Sequence, residues 1–323
     1  MASYHDSRQS RFRVGQILTF KLQSDEQATS PPLQLRIKRL RQPWTLSCGM
    51  VVEVLQDPQN RVTQPIVFLK LYDRRFAAQL RKDNKVDEWS GTLEQGYADF
   101  AWNGGAESFL QRLRDDKGFG DEDDKWDAVE NETFLAWECT QMFEAEVAAY
   151  QRLLEHQGRL IPRLFLVGTL EISTTVTGPD NDGKFPEWFA TPGILIEYIE
   201  GFSLAELDSY VPEHEWEAIV RQAIRIVHVL GDNNILNRDV CPGNFLITPP
   251  SDQSQGYKVV MIDFALCRFR ADGESDEEWG RSKWIQDEEG AVGYVMRNRL
   301  RRIGYQLAFE HSMTYVEWAE GEE

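Results

Sequence analysis

The chain has 323 residues, enough for one large domain or two lobes, and its 41% hydrophobic and 27% charged residues are ordinary for a soluble globular protein. Thirty-five basic residues against 53 acidic ones leave a net charge of −18. Such a surface repels phosphate backbones and anionic lipid, which argues against nucleic-acid and membrane binding.

Cys48, Cys139, Cys241 and Cys267 form no CxxC pair and no metal-ligand spacing. The polar start, MASYHDSRQSRFR, has no signal-peptide core, and no apolar run approaches the roughly 18 residues of a membrane span. An intracellular setting, cytoplasmic or nuclear, is expected.

Taken in chain order, the first third predicts strands over 13–22, 33–41, 49–56 and 65–72, with turn chemistry at SDEQATSPP and DPQN. From about 82 to 132 the chain is rich in Gly, Asp and Glu, and 115–127 holds seven acids against two lysines. That composition predicts a solvated or mobile surface insertion. Residues 134–154 have helical periodicity, and GILIEYI (193–199) is a compact apolar strand. Ser203 and Glu206 have capping-box spacing. Trp216, Ile219, Val220, Ala223, Ile224, Val227 and Leu230 mark a second helix, with His228 beside the stripe and expected in the core. Two short strands flank NRDVCPGN (237–244), followed by a strand over 257–262, an acidic loop at 274–278 and a closing helix near 290–309. Arg297, Arg299, Arg301 and Arg302 on that helix are expected on a solvated face, with docking of an acidic partner or of the loop 274–278 as the alternative. Strands first and helices later predict an α+β protein of two lobes. The first, over 1–199, is β-rich with one helix and the insertion; the second, over 200–323, is short and mainly helical.

Five stretches carry the chemistry. In VFLK a lysine, Lys70, ends an apolar strand. Glu146 in FEAEVAAYQRL has Tyr150 and Leu153 four and seven residues on, so it faces the sheet side of its helix and could meet a strand lysine. ILIEYIEG (194–201) runs from an apolar strand into a polar linker. In NRDVCPGN, Asp239 precedes Asn244 by five residues. In VVMIDF, Asp263 closes a buried run, where an acid is costly unless it meets a cation or a metal. Each alone has an ordinary structural explanation.

In this order the five resemble the protein-kinase-like superfamily, over roughly 49–270 outside the insertion. VFLKLYDRRFA and the acidic insertion further resemble a divergent group of fungal kinase-like proteins. The resemblance implies a two-lobed kinase-like fold acting with ATP and Mg²⁺ on an alcohol acceptor, a protein Ser/Thr or a small molecule. It implies that Lys70 holds the α/β-phosphates and is oriented by Glu146. Glu197 and Ile199 would present backbone groups to adenine, with Ile196 behind it and Leu246 beneath. Asp263 and Asn244 would ligate the metal, and Asp239 would act on the acceptor hydroxyl.

The chain departs from the pattern in several places. RLRQPWTLSCG replaces the Gly-rich loop, leaving only Gly49. Phe68 stands where a small residue usually touches adenine, and Asn237 replaces the usual His. Cys241 replaces a lysine that carries γ-phosphate charge, and Ala265 replaces the Gly of DFG. No APE motif appears in the 60 residues after Asp263. These departures keep a second reading open, a pseudokinase that serves as a binding or regulatory scaffold.

Overall fold

The computed structural model describes residues 12–22, 31–116, 118–120, 126–170, 189–250 and 256–319; the turn at 24–30 and the acids at 121–124 lie outside them. These residues pack as two units. One holds the chain up to Phe143 together with Leu164–Tyr198, and the other holds Glu144–Arg163 with the chain from Ile199 onward. Among the described residues no helix is long and apolar enough to cross a membrane.

Six antiparallel strands build the first unit: β1 (Ile17–Leu22), β2 (Leu33–Arg41), β3 (Cys48–Gln56), β4 (Ile66–Leu71), β5 (Leu164–Leu170) and β6 (Thr191–Glu197). They close into a barrel in the order β1-β2-β3-β4-β6-β5. β1 begins four residues later than expected, because the chain turns at Gly15, whose φ of +87° suits glycine. Side chains alternate across a strand, so Leu33, Leu35 and Ile37 of β2 and Val67, Leu69 and Leu71 of β4 fill the interior with Phe20, Met50, Val52 and Leu195. The same alternation puts Phe68 and Lys70 on the other face of β4.

The segment expected to be a solvated insertion is instead folded and packed. It contains the end of α1 (Ala78–Asp83), then α2 (Gly91–Trp102) and α3 (Gly105–Asp115), and leads into α4 (Ala128–Arg152). The first unit therefore has more than the single expected helix. Phe109, Leu110 and Phe119 are buried against Trp126 and Phe134. Glu94 and Glu132 are buried too, because Arg74 pairs with both and Arg81 pairs with Glu132. Arg75 bonds Asp73 at 2.6 Å, and the Arg74 guanidinium lies 4.0 Å from the centre of the Tyr97 ring. Burial would raise the Glu94 carboxyl, but Arg74 and Arg75 outweigh it and hold it below its ordinary range. Counting acids made this stretch look solvated; two of them are the partners of arginines in LYDRRF.

The second unit contains β7 (Phe202–Ser203), α5 (Leu207–Tyr210), α6 (Trp216–Asp232), β8 (Ile235–Asn237), β9 (Phe245–Thr248), β10 (Lys258–Met261), β11 (Cys267–Phe269), α7 (Asp276–Gln286) and α8 (Glu288–Arg301). β10, β9 and β7 form one small sheet, and β11 pairs with β8. The Ser203–Glu206 capping box is present. The apolar stripe of α6 is buried as its spacing predicts, but His228 is not in the core: its side chain is 47% exposed and bonds Glu289 at 3.0 Å. The expected acidic loop is the start of α7, where a Ser275–Glu278 capping box and three acids meet the positive end of the helix. The closing helix ends at Arg301, earlier than expected. Of its arginines, Arg299 pairs with Asp208 and Arg297 lies over the Tyr294 ring.

Candidate functional site

The second unit gathers Asp239, Asn244 and Asp263 around one buried amide. β8 ends at Asn237, which is fully buried. Its Oδ1 accepts from the Asp239 amide N–H at 2.9 Å, and its Nδ2 donates to the Asp263 carbonyl at 3.1 Å. One amide side chain thus serves both partners. Asn244 Nδ2 donates to the Asp239 carbonyl at 2.8 Å and to its carboxylate at 3.0 Å. The Ile262 N–H donates to the Asn244 carbonyl at 2.8 Å, which ties the loop to the end of β10.

Asp263 has φ of +69°, a conformation uncommon outside glycine and kept only where the surroundings impose it. Its carbonyl is held by Asn237, and the next residue, Phe264, is fully buried with its ring edge-on to Tyr150 at 5.4 Å. Tyr150 lies one turn beyond Glu146 on α4, and Glu146 is 1% exposed. Leu246 is half-buried on β9, opposite Val260 and Ser203, and Ile199 is half-buried at the start of this unit.

Lys70, Ile196 and Glu197 belong to the first unit. Lys70 is buried on β4 between Gly49 of β3 and Ile194 of β6, with its Nζ 5.5 Å from the centre of the Tyr72 ring. Ile196 and Glu197 stand opposite Phe68 and Val67, and Gln64 donates to Glu197 at 3.4 Å. The Phe68 ring covers Gly49, where an added Cβ would meet the ring tip at 2.7 Å. Gly49 is thus explained by packing under a phenyl ring. The turn before β3, expected where a Gly-rich loop would lie, is anchored by Trp44, buried beside Phe12 and Phe76, whose indole N–H donates to the Gly49 carbonyl at 3.2 Å.

Glu288 escaped the sequence reading. Its Oε1 accepts from the Asn237 N–H at 2.7 Å, and its other oxygen pairs with Lys283, which donates to the Ile235 carbonyl at 3.2 Å. Gln286 donates to the Arg238 carbonyl at 3.3 Å. The start of α8 thereby grips the loop that carries Asp239. Burial raises the Glu288 carboxyl, against the pull of Lys283 and the Asn237 N–H. In QDEEG three consecutive acids look like a solvated helix start, and nothing local distinguishes the one that turns inward.

Among the described residues no cluster of three or more His, Cys, Asp or Glu forms a metal site. Asp263 and Asn244 offer one carboxylate and one amide. Asn244 Nδ2 is committed to Asp239, so its Oδ1 is the end available to a cation. That oxygen-only set fits Mg²⁺, which keeps waters and substrate phosphates as its other ligands. Burial and then the Asp239 charge raise the Cys241 thiol, so it stays neutral beside the loop.

No family model matches the chain. Among solved structures it is similar to a Rio2 kinase from Chaetomium thermophilum, described as an ADP/Mg²⁺-phosphoaspartate complex, at 11% identity and a TM-score of 0.47. The match covers 87% of this chain and 59% of that one.

Proposed function

We propose that the protein is an ATP- and Mg²⁺-dependent phosphotransferase of the protein-kinase-like superfamily, with an alcohol group as acceptor. The observation that carries this reading is the hydrogen-bonded set Asp239–Asn244–Asn237–Asp263, with Asp263 held at positive φ. Phosphoryl transfer asks the protein mainly to position groups and neutralise charge. Asp263 and Asn244 would hold Mg²⁺, which would offset the charge of the phosphates. The carboxylate of Asp239, fixed by Asn244, takes the proton of the acceptor hydroxyl. Lys70 and Glu146 keep the phosphate-holding and orienting roles that the resemblance implies, and Ile196, Glu197, Ile199 and Leu246 keep the adenine-facing ones. VFLKLYDRRFA supports placing the chain with the divergent fungal group.

A pseudokinase scaffold is the second reading. It is favoured by the neutral Cys241 thiol, the Phe68 ring packed over Gly49 and the anchored Trp44 turn.

Thermal melting with ATP or ADP, with and without Mg²⁺, tests the proposal. Ligand at about a hundred times its Kd adds about 2.7 kcal/mol, a rise of a few degrees in Tm for a chain of this size. No shift with either nucleotide at millimolar concentration favours the scaffold. Recovery of the shift in Phe68→Ala would show that the ring crowds the adenine.

A further inference from the structure

The second unit also contains a cavity of about 730 Å³, whose wall shares Lys283 and Glu288 with the support of the Asp239 loop. That volume lies within the usual range for small-ligand sites, roughly 300–1,000 Å³. The last turns of α6, the end of α7, the start of α8 and the segment 311–315 line it.

Its walls are acidic and aromatic. Asp232, Asp287, Glu288 and Glu289 face it, against Lys283 and two histidines, so its charge stays negative whether or not the histidines are protonated. Three of the acids have partners in the walls. Glu288 is held by Lys283, Glu289 by His228 and the Ser312 N–H and hydroxyl, and Asp287 by His311 at 2.6 Å and the Gly290 N–H at 2.9 Å. Asp232 is exposed at the end of α6, where the helix's last carbonyls add negative potential. The Tyr315 phenol registers that field: burial raises it above its ordinary value, and Glu288 and Asp232 raise it further.

The cavity already seats a cation, Lys283, against an aromatic face and stacks two rings in its wall. Lys283 Nζ lies 5.8 Å from the centre of the Tyr315 ring. His311, whose basicity is lowered by burial but raised on balance by Asp287, the Ser312 carbonyl and Glu289, stacks on Tyr294 at 5.6 Å with 16° between planes. Trp284 is half-buried in the wall, and Met313 is 60% exposed at the rim. An anion is repelled here, and a neutral apolar molecule leaves Asp232 unanswered. A guanidinium or ammonium on an apolar stem meets both demands, because cations bind ring faces and the stem can lie along Met313.

We propose that this cavity binds an organic cation, a guanidinium or alkylammonium head on an apolar stem, seated between Asp232 and the rings of Trp284 and Tyr315. The head group is the same whether it comes from a free amine or from an arginine side chain of a peptide. The proposal does not depend on phosphotransfer.

Calorimetric titration of the full chain at low salt and without nucleotide tests it. The probes are agmatine, a blocked Gly-Arg-Gly peptide and its citrulline counterpart. Saturable binding of agmatine, of the arginine peptide or of both is expected, with none for citrulline; agmatine alone points to a free amine, and the peptide alone to a protein source. Asp232→Asn and Trp284→Leu should each weaken binding about three- to tenfold, in variants whose melting matches wild type. The proposal is overturned if neither cation saturates the protein below about 10 mM, a Kd too weak for a built site. It is equally overturned if citrulline binds as well as arginine, or if both variants bind as wild type does.

Discussion

Two regions hold their acids in different ways. In the first unit, Glu94 and Glu132 are buried and closely paired to Arg74 and Arg81. In the second, Asp239, Asn244 and Asp263 are all half-buried, with Asn244 bonded to Asp239 through Nδ2 alone. Buried, closely paired charge is architecture: it fixes α2 and α4 against the barrel and is costly to break. Half-buried groups at the surface of the second unit are placed where a ligand can reach them.

The largest expected effect lies in the architectural region. Glu132→Ala leaves two buried guanidiniums short of a partner and should cost about 3–5 kcal/mol, read as a lower urea midpoint with unchanged m-value. Replacing 82–127 with a short Gly/Ser linker removes Glu94, the other partner of Arg74, and the packed Phe109 and Phe119, and should yield aggregate or a strongly lowered Tm. A linker variant that melts like wild type would make the insertion dispensable and erase the contrast.

A smaller effect concerns pH. Hydrogen bonds from His228 and Ser312 outweigh burial and hold the Glu289 carboxyl at about 2, below its ordinary 4.5. A carboxyl lowered in the folded state adds stability above its unfolded value, and that stability is lost as pH falls from about 4.5 toward 2. Glu289→Gln should lower stability at neutral pH and flatten that acid limb. An unchanged limb would mean that the Glu289 contacts contribute nothing to stability.

The smallest effect tests packing over the candidate nucleotide region of the first unit. Gly49→Ala presses on the tip of the Phe68 ring, a side-chain end that can shift, and should cost about 1 kcal/mol. Combining it with Phe68→Ala should remove that penalty. Additive losses in the double variant would place the strain elsewhere.

The difference between the two regions also explains what the sequence could disclose. Strands β2 and β4 were legible because period-two alternation is a local signal, visible in Leu33, Leu35 and Ile37. Asp239, Asn244 and Asp263 stood out as polar residues next to apolar runs, and the structure brings them together in the second unit. The pairing of Glu132 with Arg74 and Arg81 was illegible, since the partners lie 58 and 51 residues away and composition cannot pair charges at that range. Glu288 was hidden likewise, 51 residues from Asn237. His228 was misjudged because it sits beside a buried stripe without sharing its face.

The most direct test of the central claim pairs Asp239→Asn with Asp263→Asn. Each variant is assayed for nucleotide affinity by titration with and without Mg²⁺, and for phosphate transfer or release across a broad panel of alcohol acceptors. Asn tolerates positive φ, so Asp263→Asn keeps its backbone and removes only charge. The account predicts that Asp239→Asn lowers turnover by about 10² to 10⁴ with Mg²⁺/ATP affinity intact, while Asp263→Asn loses the Mg²⁺-dependent part of binding. Absent transfer in wild type, with Mg²⁺-independent nucleotide binding or none in all three proteins, would contradict it and leave a scaffold.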